Sequence, residues 1–242
     1  HSGPDVYQKR MWRVVENGDD HVTFLLHSPD GDQGYPGALD MKVTYTLDEE
    51  NGLTIHYEAV PDQDTVINMT NHSYFNLNGH KSGSVLHHRM QLLSDAFTPA
   101  DAQSIPTGEV CSVDGTPMDF RSTKELGAEI DAAYEPLILG NGYDHNWVLK
   151  NEGRFDKVAE VTGDESGIVM EVWTDRPGVQ VYTANFLENE AGRNGAVYQK
   201  RDAVCLETQN YPDAVHQKNF PEAICKKGET YDTKTAYRFH IE

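Results

Sequence analysis

Alternation of apolar and polar residues at period two is the strongest constraint this chain places on its own fold. In 41–47, Met41, Val43, Tyr45 and Leu47 interleave with Lys42, Thr44 and Thr46, and 53–59 repeats the pattern with Leu53, Ile55, Tyr57 and Ala59. A strand throws successive side chains to opposite faces, so such segments bury one face and wet the other. Between them, 48–52 ends in Asn51-Gly52, a pair that tolerates positive φ and closes antiparallel hairpins. The same signature marks 22–27, 168–174, 179–186 and 234–241, with Arg176-Pro177-Gly178 expected to turn the chain between the 168–174 and 179–186 strands. Helical patterning is confined to 122–131, where a Ser/Thr cap candidate precedes helix formers that Gly127 interrupts. Short strands at regular spacing without alternating helices predict an all-β chain, one antiparallel sandwich or barrel over residues 1–242.

The charge balance narrows the choice of ligand. Twenty Lys and Arg face 39 Asp and Glu, for a net charge of −19, which repels phosphate backbones and anionic headgroups. Nucleic acid and membrane partners are therefore not expected, and a neutral small molecule is. No apolar run approaches the ~20 residues that cross a bilayer. Cys111, Cys205 and Cys225 are widely spaced and outside any CxxC pattern, so neither a disulfide framework nor a zinc site is expected and a reducing, cytoplasmic setting is favoured.

Three polar segments interrupt the strand pattern. The first is TNHSYFNLNG (70–79), in which Asn71, His72, Ser73, Tyr74 and Asn76 all offer donors or acceptors. The second is NGYDHNWVL (141–149). The third, VCLETQNYPDA (204–214), starts as a buried strand and then presents Glu207, Thr208, Gln209 and Asn210. Polar clusters at strand ends on a rigid scaffold are where binding and catalytic groups tend to be placed. His72 reads either as a catalytic group or as a histidine satisfied by its Asn neighbours. Glu207, following Val-Cys-Leu, reads as a partly desolvated carboxylate, either functional or an ion-pair partner. Asp144 and His145 fit a site or a turn whose aspartate caps backbone amides. His87 and His88 read as exposed strand residues. His1, His72, Asp144, His145 and Glu207 share no HxH or HExxH spacing, so no metal site is expected.

Together, 70–79, PTGEVCSVDGTPMDFR (106–121), GYDHNWVL (142–149), PGVQVYTANFL (177–187) and VCLETQNYPDA with the NFPEAICKKGETY that follows resemble, in order and along essentially the whole chain, the aldose 1-epimerase (galactose mutarotase) family. The resemblance implies a large antiparallel β-sandwich that interconverts the α and β anomers of free aldohexoses such as galactose and glucose, without a cofactor. It implies His72 as the general acid on the ring oxygen, Glu207 as the general base on the anomeric hydroxyl, and Asp144 and His1 as sugar-binding residues. His1 departs from the family motif, since His-Ser-Gly stands where the family has His-Gly-Gly. Asn71 is placed among the substrate-binding residues, and with Ser73 and Asn76 it is expected to satisfy the turn that aims His72. Unperturbed pKa values near 4.3 and 6.5 would leave Glu207 ionised, and Asp144 is expected to hold the His72 proton to higher pH.

Family members begin well upstream of this motif, with further strands and an Asn-Arg segment. The chain thus reads as a C-terminal portion, with an open strand edge and bare apolar faces that invite its own missing segment or a homo-oligomeric partner. Two other functions fit the same residues: a non-catalytic carbohydrate-binding or regulatory module, and a glycoside hydrolase using Asp144 and Glu207.

Overall fold

A computed structural model describes residues 2–242 and is built almost wholly of antiparallel strands. A nine-stranded sheet runs in the order Arg13–Asn17, His21–Ser28, Leu39–Leu47, Gly52–Pro61, Tyr231–Ile241, Ile168–Thr174, Asp156–Thr162, Arg89–Leu92 and Lys124–Glu125. A five-stranded sheet runs Cys205–Gln209, Gly178–Tyr182, Asp144–Val148, Ala96–Thr98 and Cys111–Ser112. The alternation expected at 41–47 and 53–59 is the register actually used. Val43 pairs with Tyr57 and Tyr45 with Ile55, and Asn51 closes the hairpin in the left-handed region at φ 61°.

The sheets pack face to face. Ile55, Tyr57, Met170, Val172 and Tyr237 of the large sheet share one buried cluster with Phe97, Trp147, Val179, Val181 and Leu206 of the small one. Thr208 and Thr235 hydrogen-bond across the interface, so these two buried hydroxyls are satisfied by partners from opposite layers. This is the predicted sandwich. The Arg13–Asn17 strand is exposed along its whole length at the sheet edge, with Val14 54% exposed, and Leu47 at the end of the third strand is 60% exposed. No helix among the described residues is long and apolar enough to cross a membrane.

Three local readings are corrected. The segment 122–131 is not helical: Lys124–Glu125 is a short strand, and the Leu126 and Gly127 amides donate to the His88 and Leu86 carbonyls. A β-carbon on Gly127 would lie 2.9 Å from the Leu86 carbonyl oxygen, so the close sheet contact overrides the helix formers. The turn expected at 176–178 lies at 175–177, and Gly178 is already the first residue of the next strand, where a side chain would collide with Asn146 Oδ1. His88 is fully buried, not exposed. Its Nε2 accepts the Leu77 amide at 3.0 Å and its Nδ1–H donates to Asp164 at 2.9 Å, so both ring nitrogens are satisfied inside the protein.

Candidate active site

The two faces of the five-stranded sheet have opposite chemistry because each strand alternates. One face carries His145, Trp147, Val179, Val181 and Leu206 into the core. The other lines up two cross-strand rows, Asp144 with Tyr182 and Cys205, and Asn146 with Gln180 and Glu207. Glu207 therefore projects from a rigid strand, buried on the polar face, as the run Val-Cys-Leu-Glu suggested.

His72 arrives from outside the sheet. Segment 70–79 docks on the small sheet's edge, where the Phe75 and Val204 amides each donate to the other's carbonyl at 2.9 Å. The Asn76 amide then donates to the Gly83 and Asp202 carbonyls at 2.7 and 3.0 Å, while its oxygen accepts the Asn78 amide. These bonds answer for part of the polar density of the segment. The outcome is that His72 Nε2 lies 3.4 Å from Glu207 Oε1, with the histidine side chain 37% exposed and the glutamate 9%. The imidazole is stacked on Tyr74, with centroids 4.9 Å apart, and meets the edge of Tyr182 at 5.8 Å. Asp144 begins a strand instead of capping a turn, and accepts the Gln180 side-chain amide at 2.8 Å.

Burial dominates the electrostatics. It pushes the Glu207 carboxyl up to about 8, with the Asp144 charge adding to the rise. Asp144 is also raised by burial, partly offset by the Gln180 hydrogen bond. His72 is lowered, because desolvation of the imidazolium outweighs the attraction of Asp144. This corrects the two pKa expectations: Asp144 does not lift His72 above its ordinary value, and Glu207 is not an ordinary ionised carboxylate. Both shifts run in the direction that holds a proton on Glu207 in preference to His72.

The remaining candidates fall in different places. His1 lies outside the described residues. His145 faces the core between Phe97 and Trp147, accepts the Asp144 amide on Nδ1 and is pushed down to about 4 by burial. Asn71 sits behind His72, its side chain between the Tyr57 and Tyr237 hydroxyls. Gln180 was not singled out from sequence, where Val-Gln-Val reads as an ordinary strand. Its Oε1 and the Asn146 Oδ1 are buried without a hydrogen-bond partner, beside a cavity of about 20 Å³ that Asp144 also lines. A larger hollow of about 260 Å³, lined by Asp131, Leu137 and Asn141, includes neither His72 nor Glu207. Among the described residues no group of three or more His, Cys, Asp or Glu side chains is arranged to hold a metal ion.

The model of the family described as aldose 1-epimerase matches residues 1–238. The chain belongs to the aldose 1-epimerase family. Human galactose mutarotase is 45% identical over 244 residues, which span all of this chain and 69% of that protein. Aldose 1-epimerase of Escherichia coli K12 is 38% identical over 245 residues, 70% of its length. Among solved structures, an aldose epimerase homologue from C. elegans superposes with a TM-score of 0.90 at 29% identity, covering 100% of this chain and 72% of that one. A galactose 1-epimerase from Lactobacillus acidophilus NCFM gives 0.80 at 27% identity over 95% and 66%. The large antiparallel sandwich is thus the family's fold.

Proposed function

We propose that this chain interconverts the α and β anomers of free aldohexoses such as galactose and glucose, with Glu207 as general base and His72 as general acid. The observation that supports this site is the 3.4 Å approach of His72 Nε2 to Glu207 Oε1 on the polar face of the small sheet; which of the two is acid and which base follows the family resemblance. Opening a cyclic hemiacetal requires one group to take the anomeric hydroxyl proton and another to protonate the ring oxygen. Rotation about the bond to the carbonyl carbon and closure on the other face reverse both transfers.

The working form carries its proton on His72 and its charge on Glu207. It differs from the resting form only in where the proton sits, so both hold the same number of protons. Sugar hydroxyls donating to the Glu207 carboxylate stabilise the ionised form. Asp144, oriented by Gln180, accepts further sugar hydroxyls.

The named relatives are mutarotases and aldose 1-epimerases, which favours this reading over a glycoside hydrolase built on Asp144 and Glu207. A hydrolase of full acetals would also leave His72 without a task. Polarimetry on freshly dissolved α-D-galactose and α-D-glucose tests the proposal. Accelerated approach to the equilibrium rotation is expected, and a folded protein that matches the buffer rate on both sugars overturns it.

A further inference from the structure

Behind the acid–base pair, a single buried hydroxyl touches both of the segments that carry it. Tyr237, fully buried in the 231–241 strand of the large sheet, places its oxygen 3.1 Å from Asn71 Oδ1 and 2.9 Å from the Leu206 carbonyl oxygen. Asn71 directly precedes His72, and Leu206 directly precedes Glu207. The Tyr237 ring also packs on Phe75 of the same docked segment, centroids 4.8 Å apart. On its other side the Asn71 amide meets the Tyr57 hydroxyl at 3.3 Å.

One phenol proton cannot serve two oxygen acceptors fully. A half-turn of the Asn71 amide satisfies every group in sequence: Tyr57 O–H donates to Oδ1, Nδ2–H donates to the Tyr237 oxygen, and Tyr237 O–H donates to the Leu206 carbonyl. Such a chain runs from the large sheet through the loop to the small sheet, and its members polarise one another.

Resting on the functional reading above, we propose that Tyr237 is a positioning residue that sets the separation of the acid and the base by tying Asn71 and Leu206 to one hydroxyl. It touches neither substrate nor reacting atoms. A displaced catalytic group lowers turnover more than ground-state binding, which distinguishes this role from a purely structural one.

The test measures kcat and KM for α-D-galactose in the wild-type chain, Tyr237→Phe, Asn71→Ala and the double variant. Tyr237→Phe is expected to lower kcat roughly tenfold with KM within about twofold. The double variant should lose no more than the worse single one, because both changes break one chain. Wild-type kcat in Tyr237→Phe, or losses that multiply in the double variant, overturns the proposal. Should Tyr237→Phe not fold, Asn71→Ala alone cuts the Tyr237 tie to the 70–79 segment with the Leu206 contact intact; a drop of roughly tenfold in kcat with KM within about twofold is expected, and no drop overturns the proposal. An inactive wild-type chain sinks the functional reading and this one with it, whereas an active wild type with an unaffected Tyr237→Phe sinks only this one.

Discussion

Near one end of the 70–79 segment His72 meets Glu207; near the other, Leu77 meets His88, which in turn meets Asp164. Both are imidazole–carboxylate pairs, and burial lowers both histidines. They differ in which member is sealed. In the His88 pair the imidazole is fully buried with both nitrogens occupied, while the carboxylate reaches solvent. In the His72 pair the carboxylate is buried and the imidazole is the open member. A histidine whose nitrogens are both committed can only hold backbone in place. A buried carboxylate beside an accessible imidazole can exchange a proton with something that enters.

The largest expected effects follow from that contrast. Glu207→Gln and His72→Asn should each lower turnover by about 10² to 10⁴, or roughly 3 to 5 kcal/mol in the barrier, with the fold intact by circular dichroism. Near-normal turnover in either variant would remove that residue from the mechanism. The sealed pair should respond in stability instead. His88→Leu leaves the buried Leu77 amide without its acceptor, at a cost of roughly 1 to 3 kcal/mol, while Asp164 reaches solvent and keeps its bond from Asn78. The melting temperature should fall while turnover of the folded fraction stays within a few-fold, and His88→Gln, whose oxygen can again accept the amide, should recover part of the loss. A His88→Leu protein that melts normally but has lost activity would break the comparison.

Stability against pH sharpens it further. The Glu207 carboxyl titrates near 8 when folded and has an ordinary value of 4.5. A group raised on folding contributes stability that is present at low pH and lost as pH rises through the folded value. Glu207→Gln should therefore match the wild type near pH 5 and exceed it at alkaline pH, by roughly 2 to 4 kcal/mol in denaturant midpoints converted to free energy. Equal stabilities at pH 9 would show that Glu207 is not desolvated.

Legibility from sequence followed the same division. Strands such as 41–47 were readable because one face meets the core and the other meets water. In Asp144–Val148 and Cys205–Gln209 both faces are covered, so polar residues stand where water would be expected and the alternation reports nothing about them. The burial of Glu207 was still legible, because a carboxylate directly after Val-Cys-Leu is expected to be desolvated. Gln180 was not, since Val-Gln-Val looks like any half-exposed strand. His88 was misread because its neighbours His87 and Arg89 are indeed exposed, and only contacts with residues 77 and 164 reveal that it turns inward. The Tyr57–Asn71–Tyr237 chain joins residues 14 and 166 positions apart, a proximity that no local pattern encodes. The pKa expectations failed for a related reason, as depth of burial is set by the whole sandwich.

The activity profile against pH should show only the open pair. With one proton shared by His72 and Glu207, kcat/KM should fall above about pH 8, as the pair loses that proton and with it the acid. It should fall again below the lowered His72 value, where a second proton removes the base. Activity that climbs steadily to pH 10 would contradict a shared proton. The His88 pair has no part in these limbs, so His88→Gln should leave their positions unchanged.

The smallest effect belongs to Gln180. It donates to Asp144 at 2.8 Å, so on the function proposed it acts through two contacts, its own with Asp144 and Asp144's with the sugar. Neither contact changes as the ring opens, and interactions equal in ground and transition states alter KM rather than kcat. Gln180→Ala should raise KM for galactose by roughly tenfold, about 1.4 kcal/mol, with kcat within about threefold. A large fall in kcat at unchanged KM would instead place Gln180 with His72 and Glu207 in the proton transfers, and the line between the groups that react and the groups that hold would have to be drawn one strand further in.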